Sequence, residues 1–134
     1  MNNSFFITGT DTHIGKTEIT CALIEYFKKK GHLAIGMKPV AAGTELFDNQ
    51  VINGDVYKFL SINSVRKSVE IINPYSFDQA IAPHIASNSS SNKILFSKIH
   101  ENFLLLQKEC EYLFVEGAGG YKVPLTNNKS IPDL

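Results

Sequence analysis

The chain has 134 residues, 43% apolar and 19% charged, a globular composition that is long enough for one domain with a core and too short for two of ordinary size. Thirteen Lys and Arg balance thirteen Asp and Glu, so no net field draws the chain to nucleic acid or anionic lipid, and any anion binding must be local. Cys21 and Cys110 lie far apart without ligand spacing, which speaks against a disulfide framework and a zinc site. The amino terminus has no basic-then-apolar leader and no run approaches bilayer length, so a cytoplasmic protein is expected, with no membrane or nucleic-acid partner.

"SFFITG" (Ser4–Gly9) is an apolar run ending at a glycine and reads as a buried strand. From Thr17 the period changes: Ile19, Ala22, Leu23, Tyr26 and Phe27 mark one helix face, and "KKKG" suits a helix C-terminus. Cys21 on that helix reads as a small core residue. "HLAIGMKPV" (His32–Val40) predicts a second strand ended by Pro39, followed by a polar loop, "AAGTELFDNQVING". "DVYKFLSIN" has helical spacing, with Asp55 capping it or in its first turn. "VEIINPYSF" predicts a short strand broken at Asn73-Pro74, and "SNSSSN" (Ser87–Asn92) a solvated connection. Leu95, Phe96, Ile99, Phe103, Leu106 and Cys110 mark a long amphipathic helix, and "YLFVEGAGG" (Tyr112–Gly120) a buried strand that ends in an acid and a glycine-rich turn. Strands alternating with helices imply a mostly parallel sheet covered on both faces, with the turns after its strands gathered on one edge, where ligands of open α/β folds bind.

"GTDTHIGKT" (Gly9–Thr17) departs from the phosphate-loop pattern G-x-x-x-x-G-K-[ST] only in having Thr10 where the first glycine should stand. A helix starting near Gly15 would offer backbone N–H groups and the positive end of its dipole to a phosphate, Lys16 a mobile cation, and Thr17 a hydroxyl for Mg²⁺. A plain strand-to-helix turn is the competing reading, and the preceding strand, the following helix and the intact Gly-Lys-Thr outweigh it. Glu116 ends a strand where P-loop enzymes carry a Mg²⁺-holding acid, against an ordinary solvated glutamate. Lys38 leaves a strand end toward the ligand edge or snorkels at the sheet rim, and the residues favour neither. For Asp55 a capping role stands beside a metal role. His13 is expected to point its side chain to solvent while its backbone lines the phosphates. His32 and His100 read as surface residues, and His84 as a structural hydrogen-bonding residue or a substrate contact.

Taken in order, "GTDTHIGKT", "KPVAAG", "NGDVYKFL", "NPYSFDQAIAPH" and "VEGAGG" resemble the dethiobiotin synthetase family over nearly the whole chain. Its loop reads G-T-[DN]-T-x-x-G-K-T, so Thr10 is a family marker. The resemblance implies a three-layer P-loop fold, with residues 1–134 a single nucleotide-binding domain that is incomplete at its C-terminus, since family members continue well past "SIPDL" to complete the sheet and build a homodimer. The implied reaction joins CO₂ to one amine of 7,8-diaminononanoate, phosphorylates the carbamate with ATP and Mg²⁺, and closes the cyclic urea with the second amine. By the same resemblance His13, Ile14, Gly15, Lys16, Thr17 and Glu18 would wrap the ATP phosphates. Thr17, Asp55 and Glu116 would hold Mg²⁺, and Asp55 and Glu116 with Gly117, Ala118 and Gly119 would adjoin the nucleotide. Thr12 would approach the substrate, and Lys38 would sit between carbamate and γ-phosphate as the catalytic residue. Where the resemblance implies a serine or threonine that hydrogen-bonds the substrate, four residues after Lys38, this chain has Ala42, with Thr44 close by. Another P-loop amide ligase and a non-catalytic nucleotide-binding fragment are the alternative readings.

Overall fold

Strand β1 (Asn3–Ile7), helix α1 (Lys16–Lys29) and strand β2 (Ala34–Met37) follow the order that the glycine loop requires. The structure is a computed structural model and describes residues 2–79, 83, 85 and 93–134; His84 and the stretch 87–92 lie outside the described residues. Strand β7 (Tyr112–Glu116) inserts between the first two, giving the parallel order β1-β7-β2. The register sets Ile7 beside Glu116 and Met37 beside Val115. All three strands therefore deliver their C-terminal ends to one edge, as the alternating pattern predicts.

Side-chain alternation along β7 divides the two covering layers. Phe27 of α1 stacks on Tyr112 at 3.7 Å between ring centroids and lies 5.9 Å from Phe114, so α1 covers the face that carries Tyr112, Phe114 and Glu116. Helix α2 (Gly54–Ile62) joins it there. A Cβ on Gly36 would come within 2.8 Å of Ile24 and 3.0 Å of Phe59, so only glycine lets both helices settle on β2. Helix α4 (Phe96–Gln107) packs against β7 on the opposite face, where Ile99 and Phe103 line a cavity together with Met37 and Val115. The result is a three-layer α/β arrangement. Ile24, Phe59, Leu106, Leu113 and Phe114 are buried at its centre, each contributing roughly 1.5–3 kcal/mol relative to exposure. An exposed ion pair such as Lys58–Glu18 contributes only about 0–1 kcal/mol, so the core holds the layers together.

Several expectations are corrected. β1 pairs only with β7 among the described residues, and Phe5 and Phe6 are 47% and 40% exposed, so it is an edge strand rather than a buried one. The strand expected over residues 32–40 ends at Met37 because Pro39 has no amide to donate. The chain then re-pairs as β3 (Val40–Ala42), parallel to β6 (Tyr75–Phe77). The expected polar loop contains a hairpin, β4 (Glu45–Phe47) with β5 (Gln50–Ile52). Asp48 and Asn49 turn it at φ 47° and 64°, the left-handed pair that two-residue hairpin loops need and that Asp and Asn tolerate. The first half of the strand expected at "VEIINPYSF" is a single helical turn, α3 (Val69–Ile72).

The inward face of α1 is also rotated from the expected one. Lys16, Thr20 and Ile24 are buried, whereas Ile19 and Tyr26 are 57% and 55% exposed. Counting apolar residues misjudged it because Thr20 is buried with its hydroxyl satisfied, 2.8 Å from the Lys16 carbonyl. In α4 the buried residues are Ile99, Asn102 and Leu106; Leu95 precedes the helix and is exposed, and Cys110 is buried beyond its end.

β2 has its outer rim closed without a strand. Asn63 accepts from the Gly36 amide at 2.7 Å and donates to the Gly36 carbonyl at 3.1 Å. The Ser64 hydroxyl accepts from the Ala34 amide at 2.9 Å, while the Ser64 amide donates to the Ala34 carbonyl at 3.0 Å. Two residues at the end of α2 thus supply the bonds a neighbouring strand would make.

Candidate active site

Gly15, whose φ of 101° lies in the left-handed region, stands at the N-cap of α1, and no side chain caps the helix. The amides of its first turn are left for a ligand, at the positive end of the helix dipole. Lys16 folds back across the loop and donates to the Asp11 carbonyl at 2.6 Å. Burial, and then repulsion from Lys38, hold its ammonium pKa below the usual lysine value.

The centre of the site is Lys38, only 5% exposed. Its Nζ lies 2.6 Å from Asp55 Oδ2 and 2.6 Å from Glu116 Oε1. It reaches inward at the ligand edge and does not snorkel at the rim. Glu116 is fully buried rather than solvated. The Thr17 hydroxyl donates to Glu116 Oε1 at 2.8 Å, and Thr20 Oγ1 lies 3.1 Å from Glu116 Oε2. Asp55 sits in the first turn of α2; the cap is Asn53, which accepts from the Asp55 and Val56 amides. Burial alone would raise the Asp55 carboxyl, but the Lys38 charge and hydrogen bond, with Thr17 and Lys58, hold it below the usual carboxylate range.

These groups line a cavity of about 880 Å³, the size of a small-molecule site. Thr12, His13, Gly15, Lys16, Thr17 and Glu18 line one side, and Lys38, Ala42 to Glu45, Asn53, Asp55, Glu116, Ala118 and Gly119 are among the other lining residues. Ile14 and Gly117 are not among the lining residues. Ile14 is half exposed, and Gly117 packs beneath Ile131 and Phe6. The His13 side chain is exposed, as expected, at φ 58°. His32 is more than a surface residue, because its Nδ1 lies 3.0 Å from Glu111 and its ring meets Tyr112 edge-on. Thr44 is hydrogen-bonded to Asp78 at 3.2 Å, so its hydroxyl is already engaged.

No group of three or more His, Cys, Asp and Glu forms a metal cage among the described residues. Asp55 and Glu116 nevertheless offer hard oxygen donors around one cation, the Lys38 ammonium, and the Thr17 hydroxyl is bonded to the same Glu116 oxygen. That donor set fits Mg²⁺, which takes one or two carboxylates and completes its shell with water and substrate phosphate.

Three side chains that shape the site have no role of their own in the sequence reading: Thr20, and Asn53 and Asn73, which open two of the quoted motifs. Asn73 is buried and donates to the Lys38 carbonyl at 2.7 Å and the Tyr75 carbonyl at 3.0 Å. It thereby ties the lysine's backbone to β6. For Asn53 a signal existed, an asparagine directly before a helical period.

A family model described as "AAA domain" matches residues 3–134. The ATP-dependent dethiobiotin synthetase BioD of Wigglesworthia glossinidia brevipalpis is 40% identical over 131 residues, 96% of this chain and 57% of that protein. The protein of the same name from Nitrosospira multiformis is 41% identical over 132 residues, 96% of this chain and 55% of its own. That from Tolumonas auensis is 39% identical over 135 residues, covering 99% and 60%. The chain thus spans just over half the length of the curated relatives it matches.

Proposed function

The chain belongs to the AAA-domain family, and from that membership and its cavity we propose that it carries the ATP- and acceptor-binding site of a dethiobiotin synthetase. Residues 1–134 act in this reading as one nucleotide-binding domain, and the whole protein works as a homodimer. The observation that carries the proposal is the Lys38 ammonium held between Asp55 and Glu116 at the foot of the phosphate loop.

The reaction has three bond-making steps. One amine of 7,8-diaminononanoate adds to CO₂ and loses a proton, giving a carbamate. A carbamate oxygen attacks the γ-phosphorus of ATP and ADP departs. The second amine then attacks the carbamoyl carbon and gives up a proton, and phosphate leaves as the cyclic urea closes. Each step creates, brings together or releases anions, so placement and neutralisation of charge govern the rate more than covalent help from the protein. The first-turn amides of α1 and Lys16 hold the β- and γ-phosphates. Lys38, already buried, sits between carbamate and γ-phosphate and neutralises the charge that spreads during transfer. Thr12 approaches the diamine. Thr17, Asp55 and Glu116 would hold Mg²⁺, which would supply charge neutralisation to the phosphates.

The test is product formation. Supplied with ATP, Mg²⁺, bicarbonate and 7,8-diaminononanoate, the protein is expected to release dethiobiotin and one ADP per ring, measured by mass spectrometry and a coupled ADP assay. Lys38→Ala is expected to slow ring closure by roughly 10²–10³-fold, the scale seen when one charge-stabilising donor is removed, with MgATP still bound. A variant with unchanged rate would remove Lys38 from the chemistry. Nucleotide binding without ring closure by the unaltered protein would favour a binding unit over an enzyme.

A further inference from the structure

One wall of the cavity, Ala42 to Thr44, belongs to the end of β3, whereas the carboxylate facing Lys38 belongs to the start of α2. The Asn53 side chain hydrogen-bonds to both segments. Asn53 is 9% exposed. Its Oδ1 accepts from the Asp55 amide at 3.1 Å and the Val56 amide at 3.4 Å. Its Nδ2 donates to the Gly43 carbonyl at 2.8 Å and the Ala42 carbonyl at 3.4 Å. Further anchors of the loop lie on the far side, from the Gly43 amide to the Phe77 carbonyl at 2.9 Å, from the Thr44 amide to the Asp78 carbonyl at 3.4 Å and from the Thr44 hydroxyl to Asp78 Oδ1 at 3.2 Å.

We propose that Asn53 is a positioning residue that locks the Ala42–Thr44 wall to Asp55, so that the acceptor side and the nucleotide side of the cavity keep one geometry. The functional half of this inference rests on the reading of the cavity as an ATP- and diamine-binding site. The chemistry singles out asparagine. A planar amide carries an acceptor and a donor on one rigid group, so neither partner can shift without straining the other. Aspartate caps the helix equally well but has no donor for the carbonyls; serine caps it and does not extend to them. A wall displaced by about 1 Å would misplace the acceptor, an error that costs roughly 10²-fold in comparable positioning.

Asn53→Asp and Asn53→Ser keep a cap acceptor and delete the amide donor, which separates clamping from folding. Amide hydrogen exchange on the whole chain reads the clamp directly. Gly43 and Thr44 are expected to exchange about tenfold faster in both variants, the effect of losing one or two hydrogen bonds. Tyr57, whose amide donates to the Asn53 backbone carbonyl at 2.9 Å, should be unchanged. Unaltered exchange at Gly43 and Thr44, or equal acceleration at Tyr57, would overturn the clamp. In the ring-closing assay the variants are expected to raise KM for the diamine by about tenfold, and KM for MgATP by less than twofold. Equal rises in both constants, or none, would overturn its role in positioning the acceptor. If the unaltered protein closes no ring, the proposed function fails, and the exchange result still decides the clamp.

Discussion

Thr17 and Lys38 converge on the same atom, Glu116 Oε1, at 2.8 and 2.6 Å. An acceptor shared by a hydroxyl and an ammonium, on a carboxylate with no exposed surface, is a place where positive charge is structurally required. Two carboxylates with nothing between them would carry an uncompensated buried charge.

That requirement predicts how the chain responds to losing its lysine. Lys38→Met preserves length and removes the charge, and is expected to destabilise the fold by about 3 kcal/mol, the lower end of the range for breaking a buried pair because Asp55 keeps some solvent contact. Mg²⁺ should then raise the melting temperature of the variant more than that of the parent, since the ion can take up the charge the ammonium supplied. Equal shifts in calorimetric melts would show that the metal does not enter this position.

Gly36→Ala tests the packing of both helices on β2. Its new methyl meets Ile24 at 2.8 Å and Phe59 at 3.0 Å, both fully buried. Overpacking of this kind costs roughly 1–3 kcal/mol, to be read as a lowered midpoint in urea with an unchanged slope. A midpoint equal to the parent's would mean that the α1 and α2 contacts yield more easily than their burial implies.

Glu111 should give a small acid-sensitive contribution to stability. Its carboxyl is held below the ordinary value by the hydrogen bond to His32 and then by that to the Leu33 amide. A carboxylate with a lower pKa folded than unfolded stabilises the fold above the unfolded value, and that stabilisation disappears as pH falls through the folded one. Glu111→Gln is therefore expected to melt slightly below the parent at pH 7, and the gap should close below pH 4.5, the ordinary value. Thermal melts from pH 7 to 3 decide it; a gap that widens toward acid contradicts the assignment.

Ala42→Ser addresses the acceptor wall under the proposed function. Ala42 lines the cavity without a polar side-chain group, and the nearby Thr44 hydroxyl is taken by Asp78. A restored hydroxyl is expected to lower KM for the diamine by up to about tenfold, the worth of one good hydrogen bond. Unchanged steady-state constants would mean that the wall contributes only its backbone.

Much of the site's placement was legible because its parts sit at punctuation in the chain. Gly15-Lys16-Thr17 opens a helix after a strand, and Lys38 and Glu116 each close an apolar run, so parallel topology alone brings them to one edge. Thr20 carries no such mark; Asn53 and Asn73 stand at a helix start and before a proline, but what makes each matter to the site is a partner on a neighbouring element, which position alone does not show. Thr20 also shows why a helix face was misjudged: a hydroxyl with its bond satisfied counts as interior, and apolar periodicity does not register it. The hairpin at Glu45–Ile52 was legible in principle, for Asp48-Asn49 is left-handed turn chemistry, but three-residue strands are too short to display an alternation.

The Asn63 and Ser64 bonds make the central sheet lopsided. On the β2 side an arriving strand would find the amides of Ala34 and Gly36 already occupied by their own chain. On the β1 side, among the described residues, the outward amides and carbonyls of Asn3–Ile7 have no strand beside them. Parallel sheets rarely tolerate an open rim, and this one can be extended in one direction only. Two small polar side chains at the end of α2 thus decide, from the opposite side of the molecule, where any further strand must go.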